Sequence, residues 1–513
     1  MASVRRNIVA NFAGKAVVVA LGLVFPPLYV KWLGAEYYAL VGVFAMLNAF
    51  MGILDLGLTT TLNREVARLS AEASTGDPAY TMRELVSTFG AAFWIVGGVA
   101  GGTVVLVAAP LSHWFNTGGV PHGTIVTCLR LMGLILALQW PCGAYMGALL
   151  GLQRQVTVNG IQIACTVLRW IGATCVMWLV SRSIEAFFVW QATVAAVQTL
   201  AMWWVVERGM PRRTGPKSAR GWGVLAANWK FSAGMTVLWL LALALTQEDK
   251  VIMSRMLTLK EFGYYTLGWT AGGTLNFITA SVVMAVFPRL SQLVKQGSER
   301  DIADFYHHCC QLVTTLLVPA AIVLATFSRE VVFAWCGDVT ITEATYRVVC
   351  WVAIGTCLNG LVNMPYFLQL AYAWTSLSIA TNTAAIIIMA PTVYLLARAF
   401  GPPGAASAWC VLNAGYVVIG TYLMHRRILR GEQWRWYFVD VGIPTLAALA
   451  PAIVVRLLAA APPRTRVEAL LTVVSAAPLS LLAAAAAAPV VRRQITIRME
   501  GFVRRFGLGL EEP

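Results

Sequence analysis

Charged and amide side chains recur at helical spacing inside long apolar stretches, and they are the residues best suited to binding chemistry. At about 100° per residue, the members of each set lie on one face of a helix. The three sets are Asn7, Asn11 and Lys15; Asn48, Gly52, Asp55, Thr59 and Asn63; and Asn159, Gln162, Thr166 and Arg169. Because lipid-facing charges are costly, these stripes indicate a shared hydrated interior. Hydrogen bonds that join helices, each contributing about 0.6–2 kcal/mol, are the alternative explanation.

Arg169 is the member of these stripes that helix packing explains least well. It lies thirteen residues beyond Val156, which is about 20 Å along a helix at 1.5 Å per residue, close to mid-membrane. The predicted span 156–180 contains no Asp or Glu, so an acidic partner must come from another helix. Since an unpaired Arg is strongly unfavourable there, Arg169 must face water, an acid or a ligand.

Two other groups of charged residues each admit more than one interpretation. Lys15 and Asp55 lie about 12 Å and 10 Å inside their helices. Adjacent antiparallel helices would bring them together as a structural ion pair, and the alternative is that they bind substrate or an ion. The cluster Glu248, Asp249 and Lys250 lies near the outer end of a predicted span. It fits an outer gate, a proton or sodium site, or an interfacial salt bridge equally well.

The composition assigns these residues to a membrane protein. Of the 513 residues, 58% are hydrophobic and only 12% are charged, and the mean hydropathy is +0.70, values that a soluble globule of this length would not show. The net charge of +15 resides in short loops between apolar spans, which argues against a nucleic-acid partner. Ten cysteines include no CxxC pair, so we expect no disulfide framework and no metal site.

Hydropathy predicts an all-α fold of about fourteen transmembrane helices, each of roughly twenty residues. The first helix should kink near Pro26 and Pro27, because proline removes a helix hydrogen bond. The predicted organisation is an N-terminal six-helix bundle at 1–206, a cytoplasmic linker at 207–229, a second six-helix bundle at 230–424, two additional helices within 437–490, and a basic cytoplasmic tail at 491–513. We expect the tail to lie on the inner membrane surface as an amphipathic helix.

The distribution of Lys and Arg predicts the orientation. With the N-terminus inside, the inner segments hold more than twice as many basic residues as the outer ones. This asymmetry indicates an even number of spans and two cytoplasmic termini. No loop is long enough to hold a separate catalytic domain.

The chain also contains an internal repeat. Segment 33–69 recurs in loose form as 259–293, with its Tyr-Tyr pair 227 positions further along. In each copy a polar turn and the tyrosines precede an apolar span, predicted at 37–62 and at 262–287, and a basic residue follows. In membrane carriers a repeat on this scale indicates two related bundles with a site between them.

These segments resemble a known family. LGAEYYAL at 33–40, DLGL at 55–58 and NRE at 63–65 are similar to the start of bacterial oligosaccharide and polysaccharide flippases (Wzx-like) of the MOP exporter superfamily. Asp249-Lys250, FGYYTLG at 262–268 and FPRLSQL at 287–293 resemble the second half of the same family. The resemblance implies two six-helix bundles in a V around a central cavity, followed here by two extra helices.

The resemblance also implies the cargo, an undecaprenyl-diphosphate-linked oligosaccharide moved from the cytoplasmic to the periplasmic leaflet of a bacterial inner membrane. Membrane lipids and glycan polymerase or export proteins are the expected partners. No cofactor is expected, and H⁺ or Na⁺ would supply coupling. The predicted substrate-binding residues are Arg169, Lys15, Arg130, Asn48, Asn159, Gln162 and Thr166, and the predicted coupling or gating residues are Asp55, Glu248, Asp249, Lys250 and Arg64.

Three alternatives remain at this point. A drug or ion antiporter of the same superfamily would use Asp55 or Asp249 for coupling, although Arg169 disfavours organic cations as cargo. A lipid II flippase would be a close functional neighbour. A membrane glycan polymerase or ligase would need a sizeable outer loop, and the longest predicted outer loops, 111–124 and 328–345, are short.

Overall fold

A computed structural model of the chain describes residues 17–55, 57–72, 78–210, 240–459, 461–494 and 496–497. Within these ranges the chain is helical and contains no β-strand beyond one isolated bridge between Asn116 and Thr258. Eleven helical stretches in the described residues are long and apolar enough to cross a membrane, and two of them, His122–Gly151 and Leu259–Gln296, each run through a turn between two helices. The prediction of an all-α membrane protein is therefore confirmed.

Contacts divide the chain into two compact units, Met1–Thr266 and Leu267–Pro513. The helices up to the boundary are α1 (Val17–Leu33), α2 (Ala35–Ile53), α3 (Leu58–Glu72), α4 (Pro78–Leu106), α5 (His122–Gln139), α6 (Cys142–Gly151), α7 (Gln155–Leu179), α8 (Ile184–Gly209), α9 (240–256) and α10 (Leu259–Gly273), the last of which crosses it. A short helix, Ala108–Ser112, lies between α4 and α5.

The second unit continues with seven described helices. They are α11 (Asn276–Gln296), α12 (Glu299–Thr326), α13 (Ser328–Cys336), α14 (Val339–Ala371), α15 (Ser376–Arg427), α16 (Gln433–Leu458) and α17 (Arg466–Ala487). Gly401, at φ 66°, divides α15 into two halves. The total of about fourteen spans stays a prediction, because residues 1–16 and 211–239 lie outside the described ranges.

The unit boundary differs from the predicted linker at 207–229, most of which lies outside the described residues. Helix α9 packs within the first unit, since Trp114 Nε1 donates to Ser254 Oγ at 3.1 Å and Arg255 donates to the Trp114 carbonyl at 3.0 Å. Directly after α9, the Leu259 amide donates to the Asn116 carbonyl at 3.0 Å. These contacts group the start of the second sequence repeat with the first unit.

Both spans of the repeat, predicted as single helices, are interrupted, so that part of the prediction is wrong. The first copy breaks between α2 and α3, where Gly57 has φ 72° and Asp55 caps the new helix. The second copy breaks between α10 and α11, where the Thr274 hydroxyl donates to the Ala271 carbonyl at 2.7 Å. The apolar composition of the two spans therefore did not indicate the helix ends within them.

Helix α1 is interrupted at Phe25, directly before the Pro26-Pro27 pair at which a kink was predicted. Asn7, Asn11 and Lys15 lie outside the described residues, as does most of the tail at 491–513.

Close packing of α6 against α3 fixes the walls of the first unit. A Cβ added at Gly147 would lie 2.7 Å from the Thr59 carbonyl oxygen, so only glycine permits this approach. Leu62, Phe89 and Ala148 form part of the buried apolar cluster beneath it. This packing holds the start of α3, and with it Asp55, against α6.

The second unit contains a buried polar cluster. His307 on α12 lies between two carboxylates, with Nδ1 facing Asp440 on α16 and Nε2 3.1 Å from Glu432. Gln311 Nε2 donates to Asp440 Oδ1 at 2.9 Å, and Gln311 Oε1 accepts from the Val490 amide at 2.9 Å. The cluster ties α12, α16 and the segment after α17 together.

Candidate functional site

A cavity of about 360 Å³ lies within the first unit, with walls from α2 to α6. Four residues of the predicted polar stripe line it: Asn48, Gly52, Asp55 and Thr59. Gln139, Trp140 and Met146, from α5, α6 and the turn between them, line the facing wall. The second span therefore directs its polar face into an internal space, as the stripe interpretation predicted.

The half-buried carboxylate of Asp55 serves a local structural purpose in this wall. Its Oδ1 accepts from the Thr59 hydroxyl at 2.5 Å and from the Thr59 amide at 3.3 Å. A carboxylate in this position satisfies amide donors that the first turn of a helix leaves unpaired. The predicted ion pair with Lys15 stays a prediction, because Lys15 is outside the described residues.

Arg169 is held by three neutral amides. Its Nη1 donates to Gln191 Oε1 at 3.4 Å, and its Nη2 donates to Gln139 Oε1 at 3.3 Å and Gln198 Oε1 at 3.0 Å. Within the described part of the chain, no Asp or Glu forms a salt bridge with it. A guanidinium has five N–H donors, so two remain for another acceptor.

Two side chains connect Arg169 and its stripe to the cavity. Gln139 lines the cavity and accepts from Arg169. Met146 also lines the cavity, and its sulfur accepts from Gln162 Nε2 at 3.2 Å. Arg169 and Gln162 therefore lie one side chain behind the cavity wall, and the structure brings both stripes together around one space.

The stripe on α7 is not a simple α-helical face. Residues Leu168–Gly172 form a π-helical segment, so the 100° periodicity does not continue through Arg169. Such single-turn segments insert one extra residue into a helix, and they occur often at functional sites. Thr166, just before the segment, donates to the Gln162 carbonyl at 2.7 Å. The assumption of one regular α-helix was wrong at this point.

Three further predicted site residues lie elsewhere. Arg130 is exposed on α5, nine residues before Gln139 and hence on the opposite face of that helix. Arg64 is 58% exposed and lies 3.2 Å from Glu65. Asn159 is half-buried near the start of α7. Their roles stay predictions, and the structure does not place Arg130 beside Arg169.

The charged cluster on α9 has its own partners. Asp249 is buried, and its Oδ2 accepts from the Tyr265 hydroxyl at 2.5 Å. Lys250 Nζ donates to the Thr246 carbonyl at 2.8 Å and lies 3.9 Å from Asp249 Oδ1. Glu248 is half-buried. The second tyrosine of the repeat therefore holds the acid that the sequence had singled out.

Sequence reasoning missed the three glutamines. Gln191 and Gln198 are seven residues apart on α8, a spacing that places both on one helix face and was a usable signal. Gln139 had a weaker signal, as a lone amide at the end of an apolar run. In the described residues, no three His, Cys, Asp or Glu side chains are arranged to hold a metal ion.

Comparison with known proteins assigns the family. The profile of the family described as polysaccharide biosynthesis protein matches residues 4–294, more than half of the chain. The chain belongs to this family. A Shigella flexneri protein assigned as an O-antigen transporter is 21% identical to this family member over 421 residues, which cover 80% of this chain and 94% of the relative.

Two solved structures share the fold of this polysaccharide biosynthesis family member. The lipid II flippase MurJ, in an inward closed conformation, matches with a TM-score of 0.65 at 10% identity, covering 93% of this chain and 97% of the other. An inward-facing multidrug-resistance MATE transporter of the MOP superfamily gives 0.62 at 12% identity, covering 80% and 94%. At these identities the likeness shows the fold alone.

Proposed function

We propose that this polysaccharide biosynthesis family member is a flippase. It moves an undecaprenyl-diphosphate-linked oligosaccharide from the cytoplasmic to the periplasmic leaflet of a bacterial inner membrane by alternating access. The relative assigned as an O-antigen transporter supports the cargo class. The observation that carries the proposal is Arg169, a cation beside an internal cavity whose three partners are all neutral.

The chemistry of the cargo fits this arrangement. A diphosphate is anionic, and Arg binds phosphate oxygens through paired N–H donors. Amides such as Asn48 and Gln139, which line the cavity, both donate to and accept from sugar hydroxyls. A cavity of about 360 Å³ falls within the range of small-ligand sites. It would receive the diphosphate and nearest sugar while the lipid tail stays in the bilayer.

The driving force is electrical and ionic in this proposal. A membrane potential that is negative inside favours outward movement of an anion by about 2.3 kcal/mol per charge per 100 mV. Coupling to H⁺ or Na⁺, through Asp55 or the Asp249 cluster, would reset the carrier.

The test replaces Arg169 and follows the cargo. In proteoliposomes that contain lipid-linked oligosaccharide, Arg169→Ala should lower translocation about 10- to 100-fold, the range expected for hydrogen bonds to a charged group. Arg169→Lys should retain part of the activity, because the charge survives while the paired donors are lost. Arg329→Ala is the control, since Arg329 is 40% exposed and pairs with Glu343 on the surface of the second unit.

Translocation is measured as protection of the sugar from a membrane-impermeant lectin, with the melting temperature confirming that each variant is folded. Wild-type transport by Arg169→Ala would remove Arg169 from the site. Transport of lipid II in place of lipid-linked oligosaccharide, under the same conditions, would assign the protein to the neighbouring flippase class.

A further inference from the structure

We infer that Tyr29 and Trp190 are positioning residues that hold the π-helical segment of α7 and thereby direct Arg169 toward the cavity. This inference rests on the proposed function, because it concerns how Arg169 is presented to an anion. It depends on side-chain hydrogen bonds to three consecutive carbonyl groups of the segment Leu168–Gly172.

The geometry of a π-helical segment creates the need for such bonds. A hydrogen bond from residue i+5 replaces the usual one from i+4, so carbonyls at the bulge lose their regular α-helical partners. Within a membrane, no water is at hand to satisfy them. Side chains from neighbouring helices must then stabilise the segment, or it relaxes to a regular α-helix.

Each of the three carbonyls receives such a bond. Trp190 Nε1 donates to the Leu168 carbonyl at 2.7 Å, and Gln191 Nε2 donates to the Arg169 carbonyl at 3.3 Å. The Tyr29 hydroxyl donates to the Trp170 carbonyl at 2.7 Å. These donors come from α1 and α8. The Trp170 carbonyl also accepts from the Ala173 amide and, at 2.9 Å, from the Thr174 hydroxyl, both on α7 itself. Two neighbouring helices therefore add side-chain bonds to the segment from outside.

Packing around the donors shows that the arrangement is specific. Tyr29 is fully buried, and its ring stacks on Trp170 with centroids 5.7 Å apart. A Cβ added at Gly172 would lie 2.4 Å from the Trp190 indole, so the indole reaches Leu168 only because position 172 is glycine. A glycine inside a helix usually costs stability, and here it makes room for a hydrogen bond.

The π-helical segment determines the direction in which the Arg169 side chain points. One residue more or less in a helix rotates the following part by about 100° relative to the preceding part. Loss of the π-helical register would therefore turn Arg169 relative to the cavity wall that Gln139 forms. Gln191 connects the backbone of Arg169 to its side chain, because the Gln191 amide binds both the Arg169 carbonyl and the Arg169 guanidinium.

Tyr29→Phe tests the inference, because it removes one hydroxyl and retains the stacked ring. The measured quantity is the dissociation constant of geranylgeranyl diphosphate for the purified full-length chain in detergent, with geranylgeraniol as the uncharged reference. We expect about a five-fold weaker affinity for the diphosphate, the size of one lost hydrogen bond, and an unchanged affinity for the alcohol. Trp190→Phe, which removes the indole N–H, should act in the same way.

The chain supplies a matched control. The Tyr437 hydroxyl donates to the Val417 carbonyl at 2.8 Å, within another π-helical segment, Tyr416–Gly420, whose sequence YVVIG has no charged residue. Tyr437→Phe therefore removes the same kind of bond without an arginine to misdirect. It should leave the diphosphate affinity unchanged.

A double variant separates positioning from general packing. In the Arg169→Ala background, Tyr29→Phe should have no further effect on diphosphate affinity, because its effect passes through Arg169. An equal additional loss would overturn the inference. So would wild-type affinity in both Tyr29→Phe and Trp190→Phe while Arg169→Ala loses binding, a result that leaves the proposed function intact. Wild-type affinity in Arg169→Ala would remove Arg169 from the binding site of the proposed function, and would overturn the inference with it.

Discussion

Two charged residues on the described π-helical segments, the half-buried Arg169 and the buried Asp440, lie one in each unit and have different surroundings. Arg169, in Leu168–Gly172, donates hydrogen bonds to three neutral amide oxygens. Asp440, in Trp436–Gly442, is fully buried and faces the imidazole of His307. The acid has an imidazole and an amide as partners within the fold, whereas the arginine has only amide dipoles.

This difference supports the proposal that Asp440 is a structural charge and that Arg169 is available to a ligand. A buried carboxylate is stable only while its hydrogen-bond partners are present, and losing one leaves its charge uncompensated. A cation surrounded by amides is solvated without being neutralised, so an incoming anion still gains from it. The identity of the partner, rather than burial alone, therefore distinguishes the two charges.

The largest effect is expected from removing His307, the imidazole partner of Asp440. His307→Ala leaves Asp440 buried with Gln311 as its remaining side-chain donor, and should lower the free energy of unfolding by about 3–5 kcal/mol. Thermal melting in detergent measures the loss. His113→Ala, at an exposed position in the first unit, should melt like the wild type. A wild-type melting curve for His307→Ala would show that Asp440 is not held by this pair.

A smaller effect is expected from a substitution that gives Arg169 an acidic partner within the fold. Gln198→Glu places a carboxylate 3.0 Å from Arg169 Nη2, so the cation acquires an internal partner and loses its attraction for an anion. Translocation should fall about 10- to 100-fold, with the melting temperature unchanged or raised. Gln198→Ala, which leaves Gln139 and Gln191 in place, should remain within about five-fold of the wild type. Equal activity in both variants would contradict the charge argument.

The smallest effect concerns Glu432, the partly exposed carboxylate beside His307. Glu432→Gln retains an oxygen that can accept from His307 and removes a charge that is one-third exposed. It should lower the free energy of unfolding by about 0.5–1.5 kcal/mol, since partly exposed pairs contribute little. Denaturant titration compares it with Glu343→Gln in a surface pair. A loss as large as that of His307→Ala would show that Glu432, rather than Asp440, is the main partner of His307.

Much of the fold could be predicted from hydropathy, because membrane spans must be long and apolar whatever their neighbours are. The helix ends inside the two repeat spans could not. At Asp55 and Gly57 the break depends on a positive φ and a side-chain cap, and both leave the apolar composition of the span unchanged. At Thr274 the sequence shows no charged or proline residue to mark the end.

The candidate site was predicted in part. Arg169 and the stripe through Asn48 and Asp55 follow from charge and spacing, because a mid-span guanidinium must find a polar environment. The partners of Arg169 come from α5 and α8, and only tertiary packing brings their amides together. The π-helical segment also escaped prediction, since one inserted residue leaves the composition of α7 unchanged.

Gly172 and Trp190 have a consequence for the evolution of this family. The indole occupies the volume that any side chain at position 172 would need, so position 172 cannot accept a larger residue while Trp190 stays. Among relatives that retain an arginine at the position of Arg169, the two residues should vary as a pair, with small paired with large. A lineage with a bulky residue at position 172 must have lost the indole donor, and with it one support of the π-helical register.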